Sequence, residues 1–262
     1  MQLVLSIFPG IDLLGMAFEQ EGFCVVQSRD WIFGGDIRGT HFPSGRFDGV
    51  IGGPPCQAFS RLTHMVRQNG LYPKFGNLIP EFERVVIETR SQWFVMEEVP
   101  DAPRPKVSGY ETHEFILNNR QCVDANGNPA TPNRSRAITF GYRGERRPLL
   151  LDVVCLEATE FEYAATGGSA RPVAMNRGCQ PKRFRDGNSH MPFNSRSRAA
   201  VKELCRKQGI PEEYVTRMPF TVDAACKALG NGVPLAMGRT IARGVRECTQ
   251  AANFGEAGET DE

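Results

Sequence analysis

The sequence predicts an α/β protein: a doubly wound sheet of parallel strands, with a small irregular subdomain set into its second half. Three observations lead there. Short apolar runs alternate with stretches of helical spacing through the first 150 residues. Each run ends in glycine, proline or acidic residues, the punctuation of a strand entering a loop. After Leu151 the periodic pattern fades, and it returns only near Arg198. Strands that alternate with helices pair in parallel, and such sheets bind ligands beyond the carboxyl ends of their strands.

The elements follow in order. Leu3 to Phe8 is an apolar run that stops at Pro9-Gly10, so it reads as a first buried strand. Asp12 to Glu21 places Leu13, Leu14, Ala17 and Phe18 on one helical face, with Gly22 as a stop. Phe23 to Gln27 and Phe47 to Ile51 are the second and third strands, the latter closed by Gly52-Gly53-Pro54-Pro55. Pro80 to Arg90 is helical, and Trp93 to Met96 is a fourth strand ending at Glu97-Glu98-Val99-Pro100. Ala137 to Phe140 reads as a further strand. Thr166 to Asn194 is rich in Gly, Pro, Asn, Ser and Arg and reads as loops. Helical spacing resumes over Arg198 to Gln208, Ala224 to Leu229 and Leu235 to Glu247, before a tail expected to be disordered.

Composition bounds the function. The 262 residues allow one ample domain, or one large and one small. No apolar run is long enough to cross a bilayer, and the N-terminus lacks a basic leader, so a cytoplasmic location is expected. Eight cysteines stand singly, with no CxxC pair and no Cys/His cluster, so neither a metal site nor a disulfide framework is expected. The net charge of +1 hides an asymmetry. Residues Arg134 to Lys207 carry 15 Lys and Arg against 7 Asp and Glu. Such a stretch suits a surface that faces a polyanion, or else a scattered set of solvated arginines.

Four segments carry chemistry. Phe8-Pro9-Gly10-Ile11-Asp12-Leu13 is a tight turn between strand and helix, where a nucleotide-like ligand can approach the backbone. Asp30, about twenty residues on, can accept hydrogen bonds from ribose hydroxyls, with Trp31 beside it to stack on an adenine. An ordinary turn and a surface Asp would look the same. Pro54-Pro55-Cys56-Gln57 stiffens a strand-end loop and so presents the thiol. A thiolate suits attack on an electron-poor ring carbon, provided local charge lowers its pKa. Glu97-Glu98 ends a strand; by residue type alone it reads as a surface acidic pair. A carboxyl held partly protonated there would instead donate to a ring nitrogen. Arg134 and Arg136, two apart before a strand, share a face on which guanidinium groups grip an acid or a carbonyl oxygen.

Taken in order, these segments resemble the carbon-5 cytosine-specific DNA methyltransferase family, most of all its compact bacterial and bacteriophage members. The resemblance covers Leu3 to about Pro100, resumes near Asn133 and returns at Gly230-Asn231-Gly232-Val233-Pro234. It implies a Rossmann-like methyltransferase sheet over residues 1–150, a small target-recognition region over 151–219, and a return to the catalytic domain over 220–250. Residues 251–262 remain as the tail. S-adenosyl-L-methionine is the implied cofactor, lined by Phe8, Gly10, Ile11 and Leu13 on its methionine side. Asp30 and Trp31 would meet its ribose and adenine, Asp36 and Ile37 the adenine edge, and Pro55, Leu78, Asn231 and Val233 the remainder of the pocket. Cys56 would be the nucleophile, Glu97 would steady or protonate ring nitrogen 3, and Arg136, with Arg134, would hold the base and orient Glu97. Double-stranded DNA is the implied partner, contacted by Gln57, Ser60 and Arg61 and by Arg177, Lys182, Arg183, Arg185 and Arg196. A monomer with no metal and no membrane is expected.

Three departures from the family pattern stand out. Asp12 and Leu13 replace glycines of the first turn, Glu98 stands where Asn is usual, and Pro132-Asn133 replaces a Gln. Glu98 and Asp12 leave room for a DNA-binding relative that has lost turnover. The basic stretch is also compatible with RNA cytosine as substrate. A nucleotide-dependent oxidoreductase accounts for the first turn and Asp30, but leaves Pro55-Cys56-Gln57 and the paired arginines unexplained.

Overall fold

The computed structural model describes residues 1–56, 59, 75–154, 162–163, 198–217 and 220–255. The strands are β1 (Leu3–Ile7), β2 (Cys24–Gln27), β3 (Gly49–Gly52), β4 (Trp93–Glu98), β5 (Tyr110–Asn118), β6 (Pro132–Asn133), β7 (Ser135–Arg143) and β8 (Glu162–Tyr163). The α-helices are α1 (Leu13–Gln20), α2 (Ile79–Thr89), α3 (Arg198–Gln208), α4 (Glu212–Thr216), α5 (Val222–Asn231) and α6 (Leu235–Gly255). Six strands form one sheet in the order β2-β1-β3-β4-β7-β5, and β6 pairs with β8 alone.

The first four strands of that sheet run parallel, as the alternating pattern predicts. The all-parallel expectation fails at β7, which lies antiparallel between β4 and β5. The reason is local. The stretch between β5 and β7 holds a single 3₁₀ turn, Asn119–Gln121, and no α-helix. A parallel return needs a crossover helix, whereas an antiparallel one does not.

The two-residue alternation of strands sorts the core into two layers. Trp93, Val95, Ile138, Phe140 and Val4 face Phe18 of α1 and Met237, Ile241 and Val245 of α6. Leu5, Ile7, Val50, Phe94 and Met96 face Phe82, Val85 and Val86 of α2. Fully burying one such side chain contributes about 1.5–3 kcal/mol, so the helices are held to both faces chiefly by this packing. A third cluster joins Ile11, Leu13 and Ala17 to Leu204, Cys205, Ala225 and Leu229, docking α3 and α5 against the N-terminus of α1. Helix α6 continues to Gly255, eight residues past the expected stop and into the stretch read as tail. No helix among the described residues is long and apolar enough to cross a membrane.

Candidate active site

β1, β3 and β4 all end at one edge of the sheet, and the punctuated segments lie beyond it. From Gly52 the chain runs through Gly53, Pro54 and Pro55 to Cys56, which is half-buried. At the end of β4, Glu97 and Glu98 are buried, 7% and 2% exposed. The reading of a surface acidic pair is therefore wrong; β7 covers the strand end on one side and leaves neither carboxylate in water. Arg136 reaches across from β7, its Nε 2.7 Å from Glu97 Oε1. The register explains this meeting. Glu97 pairs with Ile138 and shares a face with it, and Arg136, two residues earlier, lies on the same face.

Glycine at position 53 leaves room for that carboxylate. A Cβ there would stand 2.8 Å from Glu97 Oε2, closer than side-chain carbons approach. The loop that presents Cys56 and the carboxyl of Glu97 are thus packed against one another.

The second arginine has a separate task. Arg134 is buried and donates from Nη1 to Gly230 O at 2.9 Å and from Nη2 to Asn231 O at 3.4 Å. It holds the C-terminal carbonyls of α5, where positive charge is favoured. Burial, and then the charge of Arg136, draws its pKa below the ordinary guanidinium value. The Pro132-Asn133 departure also has a structural use. Asn118 donates to Asn133 Oδ1 at 2.7 Å and to Ser135 Oγ at 2.9 Å, bracing the start of β7 that carries Arg136.

The thiol is not pre-activated. Burial raises the Cys56 pKa above its ordinary value, and the charge of Glu98 adds to the rise. Arg136 and Arg134 pull the other way, with Glu97 between them in weight and opposing them. The condition that local charge lowers this pKa is not met, because two carboxylates and a dry surrounding outweigh the arginines. Glu98 itself is pushed up to about 8, chiefly by burial, against the backbone N–H of Val99 that donates to its Oε2 at 2.6 Å.

On the other side of the same edge, the first turn is held by three residues in the left-handed region: Phe8, Gly10 and Asp12, at φ 53°, 57° and 55°. Gly10 takes this freely; the other two cost about 1 kcal/mol each. Gly10 N–H donates to Asp30 Oδ2 at 3.0 Å, which ties the turn to the end of β2. The other oxygen of Asp30 accepts from Ile32 N at 2.9 Å. Trp31 is 49% exposed, with Phe75 set edge-on at 5.4 Å. Asp36 caps a short 3₁₀ turn and is gripped by Arg38 at 2.6 Å, which lowers its pKa below the usual carboxylate range.

The remaining residues of the expected pocket divide by burial. Ile11, Leu13, Ile37 and Val233 are core side chains, each with 6% exposure or less. Pro55 and Leu78 are half-buried, Phe8 packs partly against the core, and Asn231 is exposed. Asp12, one of the departures, is a buried helix cap. Its Oδ1 accepts from Gly15 N at 3.0 Å and Ser6 Oγ at 2.7 Å, and burial raises its pKa. Of the residues expected to touch DNA, Gln57, Ser60, Arg61, Arg177, Lys182, Arg183, Arg185 and Arg196 all lie outside the described residues.

With this geometry in hand, likeness to known proteins can be weighed. Residues 34–162, close to half of the chain and the part that holds Cys56, Glu97 and Arg136, match the model of the C-5 cytosine-specific DNA methylase family. That stretch is a C-5 cytosine-specific DNA methylase domain. Over nearly its whole length the chain is 24% identical to the Type II methyltransferase M.NgoPII of Neisseria gonorrhoeae, covering 93% of this chain and 95% of the relative. A stretch of 59 residues, 22% of this chain and 16% of the relative, is 44% identical to the Type II methyltransferase M1.HphI of Haemophilus parahaemolyticus. The S. pombe Dnmt2 methyltransferase superposes with a TM-score of 0.57 at 15% identity, over 97% of this chain and all of that one. A structural likeness at that identity shows the fold alone.

Sequence reasoning missed three members of the methylase's site. Gly53 is passed over as a turn residue, although its lack of a side chain is what admits Glu97. Arg104 acts on Glu98 from the loop after β4, and no spacing rule relates the two. Gln208, at the end of α3, donates to Gly232 O at 3.1 Å and so helps fix the Gly230–Pro234 turn; only the tertiary fold brings them together.

Proposed function

We propose that this methylase transfers a methyl group from S-adenosyl-L-methionine to carbon 5 of a cytosine flipped out of double-stranded DNA, through a covalent bond to Cys56. The observation that carries this reading is the strand-end cluster in which the presented thiol shares its surroundings with a buried, arginine-held Glu97. Residues 1–150 and 220–250 would form the catalytic domain, and 151–219 would read the target.

The first turn fits a nucleoside-bearing cofactor. A Cβ built at Gly10 would meet nothing within 4 Å, so the backbone there is open to close approach. Phe8, Gly10, Ile11 and Leu13 would form the methionine side of this pocket, and Asp30 would accept from ribose while Trp31 covers the adenine. Asp36, Ile37, Pro55, Leu78, Asn231 and Val233 would complete it. The bound cofactor supplies a methyl group on a cationic sulfur.

Carbon 5 of cytosine is a poor nucleophile until the ring is activated. The Cys56 sulfur, once deprotonated, adds to carbon 6, and the ring's electrons move to carbon 5 while Glu97 steadies or protonates ring nitrogen 3. Arg136 orients Glu97 through the 2.7 Å ion pair and is placed to reach the base's carbonyl oxygen. After methylation, a base takes the proton from carbon 5 and the bond to Cys56 breaks, restoring the ring. A cytosine inside the stack cannot meet the thiol, so it must be extruded, at a few kcal/mol.

Cys56→Ala should abolish label transfer from the cofactor to DNA, at least a thousandfold by the general scale for losing a nucleophile, while DNA binding survives. DNA bearing 5-fluorocytosine should trap a covalent adduct with the native protein and none with the variant. Turnover by the variant would refute the assignment. The second reading, a DNA-binding relative without turnover, draws on the raised Cys56 and Glu98; it predicts retained affinity and no label transferred by the native protein.

A further inference from the structure

Glu98 is a buried acid for which the proposed chemistry has no use. It is 2% exposed, and its Oε1 has no hydrogen-bond partner among the described residues. Buried polar atoms left unpaired are costly, and those that persist are commonly found where a site works. The charged and titratable groups that act on it are Glu97 on its own strand, Arg136 from β7 and Arg104 from the following loop. Gly52 at the end of β3 pairs with Met96, two residues before Glu98, so the loop to Cys56 leaves the strand end beside this acid, whose charge the thiol feels more than that of Glu97.

We propose that Glu98 is a positioning residue for Cys56, a second acid in the same buried cluster whose loss of a proton opposes loss of the proton from the thiol and so sets the alkaline limit of the reaction. This rests on the reading of Cys56 as nucleophile. A carboxyl group in a dry site with a spare oxygen holds its proton through the neutral range, and there it leaves the thiol almost undisturbed. Above about pH 8 it carries a negative charge beside the sulfur, in surroundings that screen poorly. Two such groups titrate as a pair, so ionising the one makes the other harder to ionise. An amide at position 98 keeps the shape and removes the charge.

The test compares the native chain with Glu98→Gln and Glu98→Asn, measuring the alkylation rate of Cys56 by iodoacetamide from about pH 6.5 to about pH 10, with the Cys56-containing peptide quantified by mass spectrometry. The ratio of variant to native rates should be near one at the acid end. It should climb to roughly three- to tenfold at the alkaline end, because one pKa unit is a tenfold change in thiolate. Methyl transfer should follow, levelling above pH 8 in the native protein and continuing to rise in the variants. A ratio that does not change with pH in either measurement overturns the proposal, since a merely structural role alters rates alike at every pH. Should the Gln variant not fold, the shorter Asn side chain answers the same question. Alkylation reports on the thiol whether or not the protein methylates DNA, so failure of the Cys56 assignment, read from Cys56→Ala, is distinguishable from failure here.

Discussion

Two of the regions that hold buried carboxylates have opposite charge balance. Glu21, at the end of α1, is 6% exposed and faces three arginines of α6. Arg239 Nε and Arg243 Nε lie 2.8 and 3.0 Å from its Oε1, and Arg246 donates to its backbone oxygen at 2.9 Å. At the strand ends, Arg136 pairs with Glu97 at 2.7 Å and also acts on Glu98, with a thiol beside them. The first region has cations to spare; the second is short of them. Glu21 clasps two helices together, and the arginines around it offset its unfavourable place at a helix C-terminus. Glu98, buried with no ion pair among the described residues, is pushed up to about 8. The same residue type thus sits in opposite charge surroundings in the two regions.

The largest effect that separates the two regions is a stability change with pH. Glu98 titrates near 8 in the folded chain, against an ordinary value of 4.5. Below 4.5 it is protonated folded or unfolded and has no influence. Between 4.5 and about 8 the unfolded chain releases a proton that the folded chain retains, so stability falls as pH rises through this window. Glu98→Gln cannot titrate and should escape the loss. Its advantage over the native protein in denaturant unfolding should grow from nothing near pH 4.5 to about 5 kcal/mol above pH 8. An advantage that is constant across the window would show that the carboxyl does not titrate there, and the contrast with Glu21 would fail.

At the other region, Glu21→Gln leaves three arginines facing a neutral amide. Breaking a fully buried pair costs 3–5 kcal/mol as a rule, but these arginines are 17–39% exposed and partly solvated. A loss of about 2 kcal/mol in chemical denaturation is expected, with no change in the pH dependence of Cys56 alkylation. A changed alkylation profile would mean that the clasp reaches the active site and the two regions are not independent.

Most of the fold was legible because it rests on local rules. The two-residue and helical periodicities place β1 to β4, α1 and α2 within a few residues, and glycine and proline mark where they stop. β5 was missed. Phe115 and Leu117 pack on the core while Glu111, Glu114 and Ile116 are exposed, so polar residues interrupt the apolar run that marks a buried strand. At the site, Cys56, Glu97 and Arg136 were recognisable as residues, since each stands at a punctuated strand end or start. Their electrostatics were not. That Glu98 is buried beside Glu97 follows from β7 lying against β4, a pairing across some forty residues that no local pattern encodes. The three arginines on Glu21 were invisible for the same reason, although their spacing of four and three along α6 puts them on one helical face.

The smallest effect tests whether geometry alone, with no charge altered, can separate the regions. Gly53→Ala adds one methyl group 2.8 Å from Glu97 Oε2. A flexible carboxyl in water would simply turn aside. This one is buried and paired with Arg136, so the strain must move either the carboxyl off its partner or the loop that carries Cys56. Misplacing a reacting group by a fraction of an ångström weakens catalysis far more than packing. Turnover should therefore fall about tenfold, equivalent to about 1.4 kcal/mol, with denaturant stability changed by less than about 1 kcal/mol. The equivalent intrusion near the arginine clasp would register in stability and leave turnover alone, because nothing reacts there. If the Ala variant loses stability and keeps its rate, Glu97 and the Cys56 loop are merely packed together, and their closeness has no part in the chemistry.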